Sequence, residues 1–365
     1  GSNSWVVNGQ RSKSGKPILA NDPHLDSRIL PGVFHPVGLI TPKIRVVGVA
    51  VAGIPGIMIG RNQYVALGMT NSYGDAQDLY LEKIDSENQN NYLEGTKSIP
   101  FDKIQHSLMY RDKNSKTGFS EKKATVRLTR RGPVITDVYP DLPGNVILSA
   151  RWSASETMLP ELGLDCLLTA KNIEDVRNII ENVSVIHLNY TFADINGNIG
   201  WQTSGKLPIR KQGDGTLPFA VKNSQDNWLG WIPYQEMPQQ ENPTINWLGN
   251  ANNKTIAADF PHYISSYFSP RYRFDRMRQL IESNHQKHDA ADFWEYQRDI
   301  SNELAKVIVP IMINAIQNDL ETLVLAQALE NWDYKDNRED VGPVIFHYLF
   351  EKMAELTFYD ELGAE

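Results

Sequence analysis

GSNSWVVNGQRSKSGKPILANDPHL (residues 1–25) opens the chain with a serine, Ser2, only two residues before a short apolar run. Two interpretations fit this position. Gly1 and Ser2 are either a relic of tag removal, which is common, or a junction at which the chain is normally cut. In the second case Ser2 becomes a catalytic N-terminal residue and Gly1 ends the piece that is removed. The rest of the sequence has to decide between the two.

The composition narrows the protein class. At 365 residues the chain is long enough for one or two domains, with 41% hydrophobic and 22% charged residues. A formal net charge of −8 argues against a nucleic-acid partner, and no apolar run approaches the length of a membrane span. Cys166 is the single cysteine, which excludes an intrachain disulfide and a thiolate metal cluster. Its apolar surroundings, LGLDCLLTA, indicate core packing.

The residue patterns predict an α+β protein, with strands first and helices later. β-Branched runs between glycine and proline turns predict strands at WVV (5–7), PILAN (17–21), IRVVGVAV (44–51), YVALGMT (64–70), KATVRLT (123–129), PVITDV (133–138) and NVILSARW (145–152). Residues 172–183 have a helical period, and Asn196-Gly197 predicts a hairpin within 188–205. Loops are expected from about 205 to 262. Amphipathic helices are predicted at 269–283, 289–299, 304–317, 321–332 and 344–356.

The catalytic motifs of several enzyme classes are missing from the sequence. It has no Gly-x-Ser-x-Gly, no His-Glu-x-x-His, no Walker loop and no Gly-x-Gly-x-x-Gly. An N-terminal serine needs none of these, because its own α-amine, with a pKa near ~8, can take the hydroxyl proton. Such a site also needs oxyanion donors, and a neutral side-chain amide is a suitable one. GNANNKT (249–255) supplies three asparagines in a polar turn.

GSNSWVV and ILANDPHL together resemble the penicillin acylase (penicillin amidase) family of N-terminal nucleophile hydrolases. Further similar motifs follow in order: PGIMIGRNQYVALGMTNSYGDAQDLYLEKI (55–84), LTRRGPVI (128–135), ARW (150–152), ADINGNIGW (193–201), GNANN (249–253) and SPRYRFDRMRQLI (269–281). The resemblance spans residues 1 to about 285. It favours the cut-junction interpretation of Ser2 over the tag relic.

The resemblance implies a role for each matching position. Ser2 matches the nucleophile whose own amine is the base, and Asn252 matches the asparagine whose side-chain amide completes the oxyanion hole. Asn71 falls where the family supplies a backbone N–H to that hole. His24 matches a glutamine or histidine that bonds the serine backbone or amine. Arg273 matches an arginine that orients the asparagine and the amine region.

A calcium site and an acyl pocket are also implied. Asp75, the Gln77 carbonyl and Asp78 match three calcium ligands, and Gly215 can supply a further carbonyl. The family's late aspartate has no clear counterpart here, and another ligand is a glutamate of a separate α-chain. The implied walls of the acyl pocket are Leu25, Ile59, Tyr73, Leu164 and Leu188. Because four of these five are aliphatic, we expect a hydrophobic acyl group, aliphatic or unspecialised. The alternative is that the leucines belong to the core.

The expected fold is the four-layer αββα sandwich of N-terminal nucleophile hydrolases, incomplete in this chain and carrying a helical insertion. Residues 1–285 would form the catalytic core, and 286–365 a truncated helical segment. The expected reaction is hydrolysis of a linear amide, such as a penicillin-type side chain or an N-acyl homoserine lactone, through an acyl-enzyme on Ser2. The resemblance also implies autocatalytic cleavage before Ser2, an α-chain from the same precursor, and a periplasmic or extracellular location.

Two other functions stay open at this stage. One is a non-catalytic, cation-binding, β-rich module descended from such an enzyme. It has no physical need for the combined set of Ser2, His24, Asn252 and Arg273. The other is a carbohydrate-binding sandwich, which suits the eight tryptophans but explains none of the ordered motifs.

Overall fold

The computed structural model describes residues 1–26, 28–139, 146–159, 162–222, 227–283 and 287–363. The strands of this part of the chain are β1 (Ser2–Val7), β2 (Ile18–Pro23), β3 (Phe34–Ile40), β4 (Arg45–Val51), β5 (Ile59–Arg61), β6 (Val65–Asn71), β7 (Gln77–Glu82), β8 (Asn91–Glu94), β9 (Lys97–Pro100), β10 (Asp102–Arg111), β11 (Phe119–Thr129), β12 (Gly132–Pro133), β13 (Ile147–Trp152), β14 (Leu188–Asp194), β15 (Ile199–Thr203), β16 (Pro208–Arg210), β17 (Phe219–Ala220), β18 (Trp228–Trp231), β19 (Gln239–Glu241) and β20 (Trp247–Asn250). The α-helices are α1 (Ser153–Thr157), α2 (Cys166–Thr169), α3 (Ile173–Ile180), α4 (Tyr272–Ser283), α5 (Ala290–Gln297), α6 (Glu303–Ile316), α7 (Leu323–Glu330) and α8 (Val341–Leu362).

β1 is the central strand of a three-stranded antiparallel sheet, with β2 and β20 on its two sides. Because side chains alternate along a strand, Trp5 and Val7 face one way and Val6 the other. Trp5 and Val7 pack against helices, whereas Val6 packs against β14 and β15. Ser2 has the same parity as Val6, and therefore belongs to the face that meets the second sheet.

The second sheet has seven strands in the order β19-β15-β14-β6-β5-β4-β3, all antiparallel neighbours. Its strands β6 and β14 pack directly against β1 and β2. Gly68 of β6 permits this close approach, since a Cβ there would lie 2.7 Å from Ser4 Oγ and 3.1 Å from Asn21 Cβ. The two sheets therefore face each other across a thin interface, and Asn71, the last residue of β6, lies at its edge.

Helices cover the outer face of each sheet. Met277 and Ile281 of α4 and Phe293 of α5 pack on Trp5 and Trp247 of the three-stranded sheet. On the other side, α2 and α3 cover the seven-stranded sheet in a larger core. Its helical members are Cys166, Leu167, Ile173, Val176 and Ile180, and its strand members include Leu67, Met69 and Phe192. Cys166 is buried there, which confirms its predicted place in the core.

The three C-terminal helices α6, α7 and α8 form a cluster of their own. Its core is made of Ala305, Val309, Met312, Leu329, Trp332 and Phe346, and α6 contacts α4. All five predicted C-terminal helices are confirmed. The proposed boundary at 285/286 falls in residues 284–286, which lie outside the described part of the chain. No helix among the described residues combines the length and apolar character needed to cross a bilayer.

Most predicted strands are confirmed, and so is the hairpin at Asn196-Gly197, which joins β14 to β15. Asn145, the first residue of the NVILSARW strand, lies outside the described residues. Two predictions are wrong. PVITDV forms the last residue of β12, an isolated bridge from Val134 to Ser149 and a 3₁₀ turn at Thr136–Val138, because Asp137 turns back to form an ion pair with Arg127. The region 205–262 is not all loop but contains β16 to β20, since β16 pairs with β18 and the other three pair with strands outside the region.

Candidate active site

The predicted catalytic residues meet at one end of the facing sheets. Ser2 begins β1, Asn71 ends β6, and Asn252 follows β20 by two residues. His24 comes directly after β2, and Arg273 is in the first turn of α4. Hydrogen bonds join Ser2, Asn71, Asn252 and Arg273, and His24 approaches them through the Gly1 carbonyl. The tertiary fold thus gathers five residues that are far apart in sequence.

Asn252 holds Ser2 at both its backbone nitrogen and its hydroxyl. Asn252 Oδ1 accepts hydrogen bonds from Ser2 N at 2.7 Å and from Arg273 Nη2 at 3.1 Å. Because Oδ1 faces two donors, Nδ2 must point the other way. Nδ2 donates to Ser2 Oγ at 3.1 Å and to the Asn71 carbonyl at 2.8 Å. Ser2 and Asn252 are 7% and 1% exposed, so these contacts are shielded from bulk water and correspondingly strong.

The backbone at Asn252 explains why an asparagine suits this position. Its φ of 60° lies in the left-handed region, which asparagine tolerates better than most residues. The Asn252 N–H donates to Asn250 Oδ1 at 2.9 Å, and this contact sets the turn that follows β20. The turn places the side-chain amide of Asn252 beside Ser2, at the start of β1.

Arg273 ties the start of β1 to the asparagine. Its Nη1 donates to the Ser2 carbonyl at 2.9 Å and to Asn3 Oδ1 at 2.7 Å, while Nη2 donates to Asn252. Burial lowers the pKa of this guanidinium from its ordinary value. Arg273 therefore contacts both the serine and the amide, and the orienting role that the resemblance implies for it stays a prediction.

Asn71 contributes through its backbone. Its carbonyl accepts from Asn252 Nδ2, and its exposed side chain accepts from Tyr73 N at 2.7 Å. Tyr73 has a φ of 54°, which is strained for a bulky residue, and such strain clusters at functional sites. The role of the residue 71 N–H as an oxyanion donor stays a prediction.

His24 contacts the chain start differently from the expectation. Its backbone N–H donates to the Gly1 carbonyl at 2.8 Å, which extends the β1–β2 ladder. Its Nε2 lies 2.9 Å from Asp22 Oδ2 and 3.3 Å from Asn3 Nδ2 rather than at the serine. Burial raises the pKa of Asp22, but the hydrogen bond and charge of His24 outweigh it, so that the pKa falls below its usual value.

A buried polar network lies behind the site, and the sequence analysis did not find it. Asn250 Oδ1 accepts from Thr70 Oγ1 at 2.5 Å and from Asn189 Nδ2 at 3.3 Å, while Asn189 Oδ1 accepts from Thr203 Oγ1 at 3.0 Å. These four side chains are nearly inaccessible. They link β20, β6, β14 and β15, and so hold the turn that carries Asn252. The cluster of asparagines in GNANN was the only sequence signal for it.

The five predicted pocket residues are only partly brought together. Ile59 and Leu188 pack against the core cluster of which the buried Leu164 is a member. Tyr73 and Leu188 line an open cleft of about 520 Å³ beside Asn71. Leu25 is 49% exposed and belongs to neither group.

The cleft beside Asn71 has aromatic walls that the predicted set lacked. Trp152 and Tyr267 line it together with Tyr73, and the two tyrosine rings meet edge to face at 5.0 Å. Trp152 belongs to the ARW motif, which was its only sequence signal. His187 lines the same cleft and packs so closely on Gly205 that a Cβ there would lie 2.3 Å from the ring.

We expect His187 to make the fold acid-sensitive. Burial lowers the pKa of His187, which the hydrogen bond to the Lys206 carbonyl opposes only in part. Above about pH 6.5 the imidazole is neutral in both folded and unfolded chains, so it has no effect on stability there. Below about pH 6.5 the His187 side chain of the unfolded chain takes up a proton, and the folded state resists the same protonation. Stability is therefore lost as the pH falls towards and through the lowered pKa of the folded state. The free energy of unfolding, measured in urea, should fall more for wild type than for His187→Gln when the pH is lowered from about 7.5 to 5. An equal pH dependence in both would contradict this, and exposed His106→Gln serves as the control.

The residues predicted to bind calcium are close together but engaged with an arginine. Both Asp78 oxygens accept from Arg210 Nε at 3.0 Å, and Asp75 Oδ1 lies 3.4 Å from Arg210 Nη2. Gly215 lies against the Asp78 carboxylate, and Gln77 begins β7. Burial raises the pKa of Asp75, and the charge of Arg210 opposes the rise. Within the described ranges, no group of three or more His, Cys, Asp or Glu side chains is arranged to hold a metal ion.

Comparison with known proteins shows the family. A family model described as penicillin amidase matches residues 1–365, the whole chain. The chain belongs to the penicillin amidase family. The resemblance read from the ordered motifs is thereby confirmed.

Penicillin amidase relatives differ from this chain in length. Acyl-homoserine lactone acylase QuiP of Pseudomonas aeruginosa is 29% identical over 391 residues, which are 100% of this chain and 45% of that protein. Penicillin acylase 2 proenzyme of Pseudomonas sp. is 29% identical over 349 residues, 94% of this chain and 43% of that protein. The chain thus spans less than half the length of these two relatives.

A solved penicillin amidase structure shows the fold. The thermostable penicillin G acylase of Alcaligenes faecalis superposes with a TM-score of 0.80 at 21% identity, and covers 97% of this chain and 64% of that one. The fold is therefore that of penicillin G acylase, with mixed helices and sheets. The predicted α+β class is confirmed.

Proposed function

We propose that this protein is an amidohydrolase that cleaves a linear amide through an acyl-enzyme on Ser2. The observation that carries the proposal is the position of Asn252 Nδ2, an oriented donor 3.1 Å from Ser2 Oγ. An oxygen bonded to a carbonyl carbon at Oγ would lie within reach of this donor, as oxyanion stabilisation requires. The further contacts of Asn252 with Ser2 N and Arg273 give the amide a single orientation.

In the proposed reaction, the free α-amine of Ser2 takes the Oγ proton as Oγ attacks the amide carbon. Asn252 Nδ2 and the residue 71 N–H donate to the oxyanion that forms. The ammonium then returns the proton to the departing amine, and an ester on Ser2 remains. Water, deprotonated by the same amine, attacks the ester and releases the carboxylic acid. Arg273 positions the start of β1 throughout, by its contacts with the Ser2 carbonyl and Asn3 Oδ1, and His24 stays near β1 through Asn3 Nδ2 once Gly1 is lost.

This mechanism requires prior cleavage of the Gly1–Ser2 bond, because an amide nitrogen cannot act as a base. We infer that the cleavage is autocatalytic, that it separates an α-chain from this one, and that the mature protein is periplasmic or extracellular, as in the family. We also infer the four-layer αββα sandwich, supported by the helices α4 and α5 on one sheet and α2 and α3 on the other. Residues 1–285 would form its core, and 286–365 a helical segment.

The proposed substrate is a small acyl amide with a hydrophobic acyl group. Relatives named acyl-homoserine lactone acylase and penicillin acylase support this class. The cleft beside Asn71 supports it too, because Tyr73, Trp152 and Leu188 give it apolar walls. The aromatic rings make an aryl-acetyl group as suitable as an aliphatic chain.

Turnover is expected only from chains that have lost Gly1. A chain that retains Gly1 has an amide at Ser2 N, which donates to Asn252 Oδ1 and has no lone pair available for a proton. Edman sequencing and an activity assay on the same sample test this. Turnover by a preparation shown to retain Gly1 on every molecule would disprove the role of the amine.

The test of the proposed function starts from the full-length protein, with intact mass and N-terminal sequence measured first. Processed protein is then assayed against penicillin G and N-acyl homoserine lactones of graded chain length, with the released amine as readout. Splitting before Ser2 and hydrolysis of either substrate class support the proposal. A processed protein that hydrolyses none of these amides but binds them would instead favour the non-catalytic binding module.

A further inference from the structure

The structure shows an arginine in the place where the family resemblance implies a calcium ion. Asp75 lies between the candidate oxyanion segment at Asn71 and strand β7, and Asp78 is the second residue of β7. Arg210, the last residue of β16, reaches into this acidic pair from the opposite side. These contacts decide whether the carboxylates are free to bind a metal.

Asp78 has no free oxygen facing the site. Its Oδ1 accepts from Arg210 Nε at 3.0 Å and Nη2 at 2.9 Å. Its Oδ2 accepts from Arg210 Nε at 3.0 Å and from Trp228 Nε1 at 2.5 Å. The Arg210 and Asp78 side chains are each only 3% exposed. N–H groups of Arg210 and Trp228 therefore make four contacts with the Asp78 carboxylate, which has about four lone-pair positions.

Asp75 is engaged by the same cation. Arg210 Nη2 donates to the Asp75 backbone carbonyl at 3.1 Å and lies 3.4 Å from Oδ1. Asp75 Oδ2 accepts from Tyr263 OH at 3.2 Å, and the Tyr263 ring lies 5.4 Å from the guanidinium carbon. Arg210 thus links the segment after β6 to β7 and β16. A calcium ion bound to the same two aspartates would link the segment after β6 to β7 in a similar way.

These residues do not fit a calcium ion. Calcium takes six to eight oxygen ligands at about 2.3–2.6 Å. Here the carboxylate oxygens of Asp75 and Asp78 face the N–H groups of Arg210 instead. A Cβ on Gly215 would lie 2.3 Å from Asp78 Oδ1 and 2.8 Å from Arg210 Nε, so the backbone closes the site from the loop side. A divalent ion could enter only by displacing a buried guanidinium of like charge.

We propose that Arg210 is the built-in counter-cation of Asp75 and Asp78, and that the folded protein needs no calcium at this position. The site keeps the acidic pair and compensates part of its negative charge with a covalently attached guanidinium. Stability therefore does not depend on free calcium. This proposal does not rest on the amidohydrolase function, since it concerns binding and stability only.

Thermal unfolding of the full-length protein with EDTA and with millimolar CaCl₂, together with calcium titration calorimetry, tests the proposal. We expect the two melting temperatures to agree within about 1 °C and no calcium binding to be detected. A chelation-dependent loss of stability that calcium restores in wild type but not in Asp78→Asn would overturn the proposal. Equal sensitivity in both proteins would place the ion elsewhere and support it.

Arg210→Ala gives the converse test. Removal of the guanidinium leaves two carboxylates uncompensated, so the melting temperature should fall by roughly 5–10 °C. Calcium should then restore part of this loss, because the carboxylate oxygens are free to bind it. Arg127→Ala breaks another arginine–aspartate pair, with Asp137, and should show no calcium response. No restoration by calcium in a folded Arg210→Ala protein would contradict the proposal. If Arg210→Ala does not fold, Arg210→Gln, which removes the charge but keeps a long polar side chain, is tested for calcium response in the same way.

Discussion

The Ser2→Ala variant is expected to remain unsplit at the Gly1–Ser2 bond and to lose roughly four orders of magnitude or more in kcat/KM. The hydroxyl is the group that attacks the carbonyl in both events, and no other nucleophile is hydrogen-bonded to Asn252 Nδ2 among the described residues. Intact mass and N-terminal sequencing report the splitting, and release of the amine from an acyl amide reports the turnover. Splitting of the alanine variant before residue 2 would remove Ser2 from the mechanism.

Ser4→Ala is the matched control for this experiment. Ser4 is a second buried serine on β1, two residues further along the same face, and its Oγ donates to the Ala20 carbonyl at 3.3 Å. Its substitution also removes a buried hydroxyl from the sheet interface. We expect Ser4→Ala to split normally and to keep its activity within a few-fold, because the Ser4 hydroxyl bonds Ala20 and none of the Asn252 side-chain hydrogen bonds in the described part of the chain involves Ser4. A comparable loss in both variants would indicate a packing effect rather than chemistry.

The Asn252→Asp variant is expected to lose about 10²–10³-fold in kcat/KM while remaining folded. Aspartate tolerates the left-handed backbone at this position, and its oxygen can still accept from Ser2 N and Arg273. The N–H donor beside Ser2 Oγ is lost and replaced by an acceptor that repels an oxyanion. The loss should appear mainly in kcat, because the donor acts on charge that develops in the transition state.

Asn253→Asp controls for the charge that Asn252→Asp introduces. Asn253 is the next residue, also buried, and its side chain bonds only local backbone groups, with Oδ1 accepting from Ala251 N and Nδ2 donating to the Lys254 carbonyl. We expect its kcat to stay within a few-fold of wild type. Asn252→Asp with undiminished kcat, or an equal loss in Asn253→Asp, would rule out the oxyanion role of Asn252.

Local sequence patterns were enough to predict most of the secondary structure. The apolar period of residues 172–183 predicted α3, since Ile173, Val176 and Ile180 recur at helical spacing and are buried together. Asn196-Gly197 predicted the β14–β15 turn because glycine accepts the positive φ of 101° found there. These features depend on neighbours in the chain. β20 escaped prediction because a four-residue strand carries little pattern of its own and forms only where β1 offers a partner edge.

The sequence by itself determined the family and the β-then-α order, and it singled out Ser2, Asn252 and Arg273 as candidate site residues, because ordered motifs carry this information without any distances. Tertiary structure alone decided how those residues meet. Only the pairing of β1 with β20 brings Asn252 within 3.1 Å of Ser2 Oγ across 250 residues of sequence. The tertiary structure likewise joins Thr70, Asn189 and Asn250 into one network. It also brings Arg210 into contact with Asp75 and Asp78. Such contacts depend on the folded path of the chain, since a buried polar group takes whichever partner the fold brings to it.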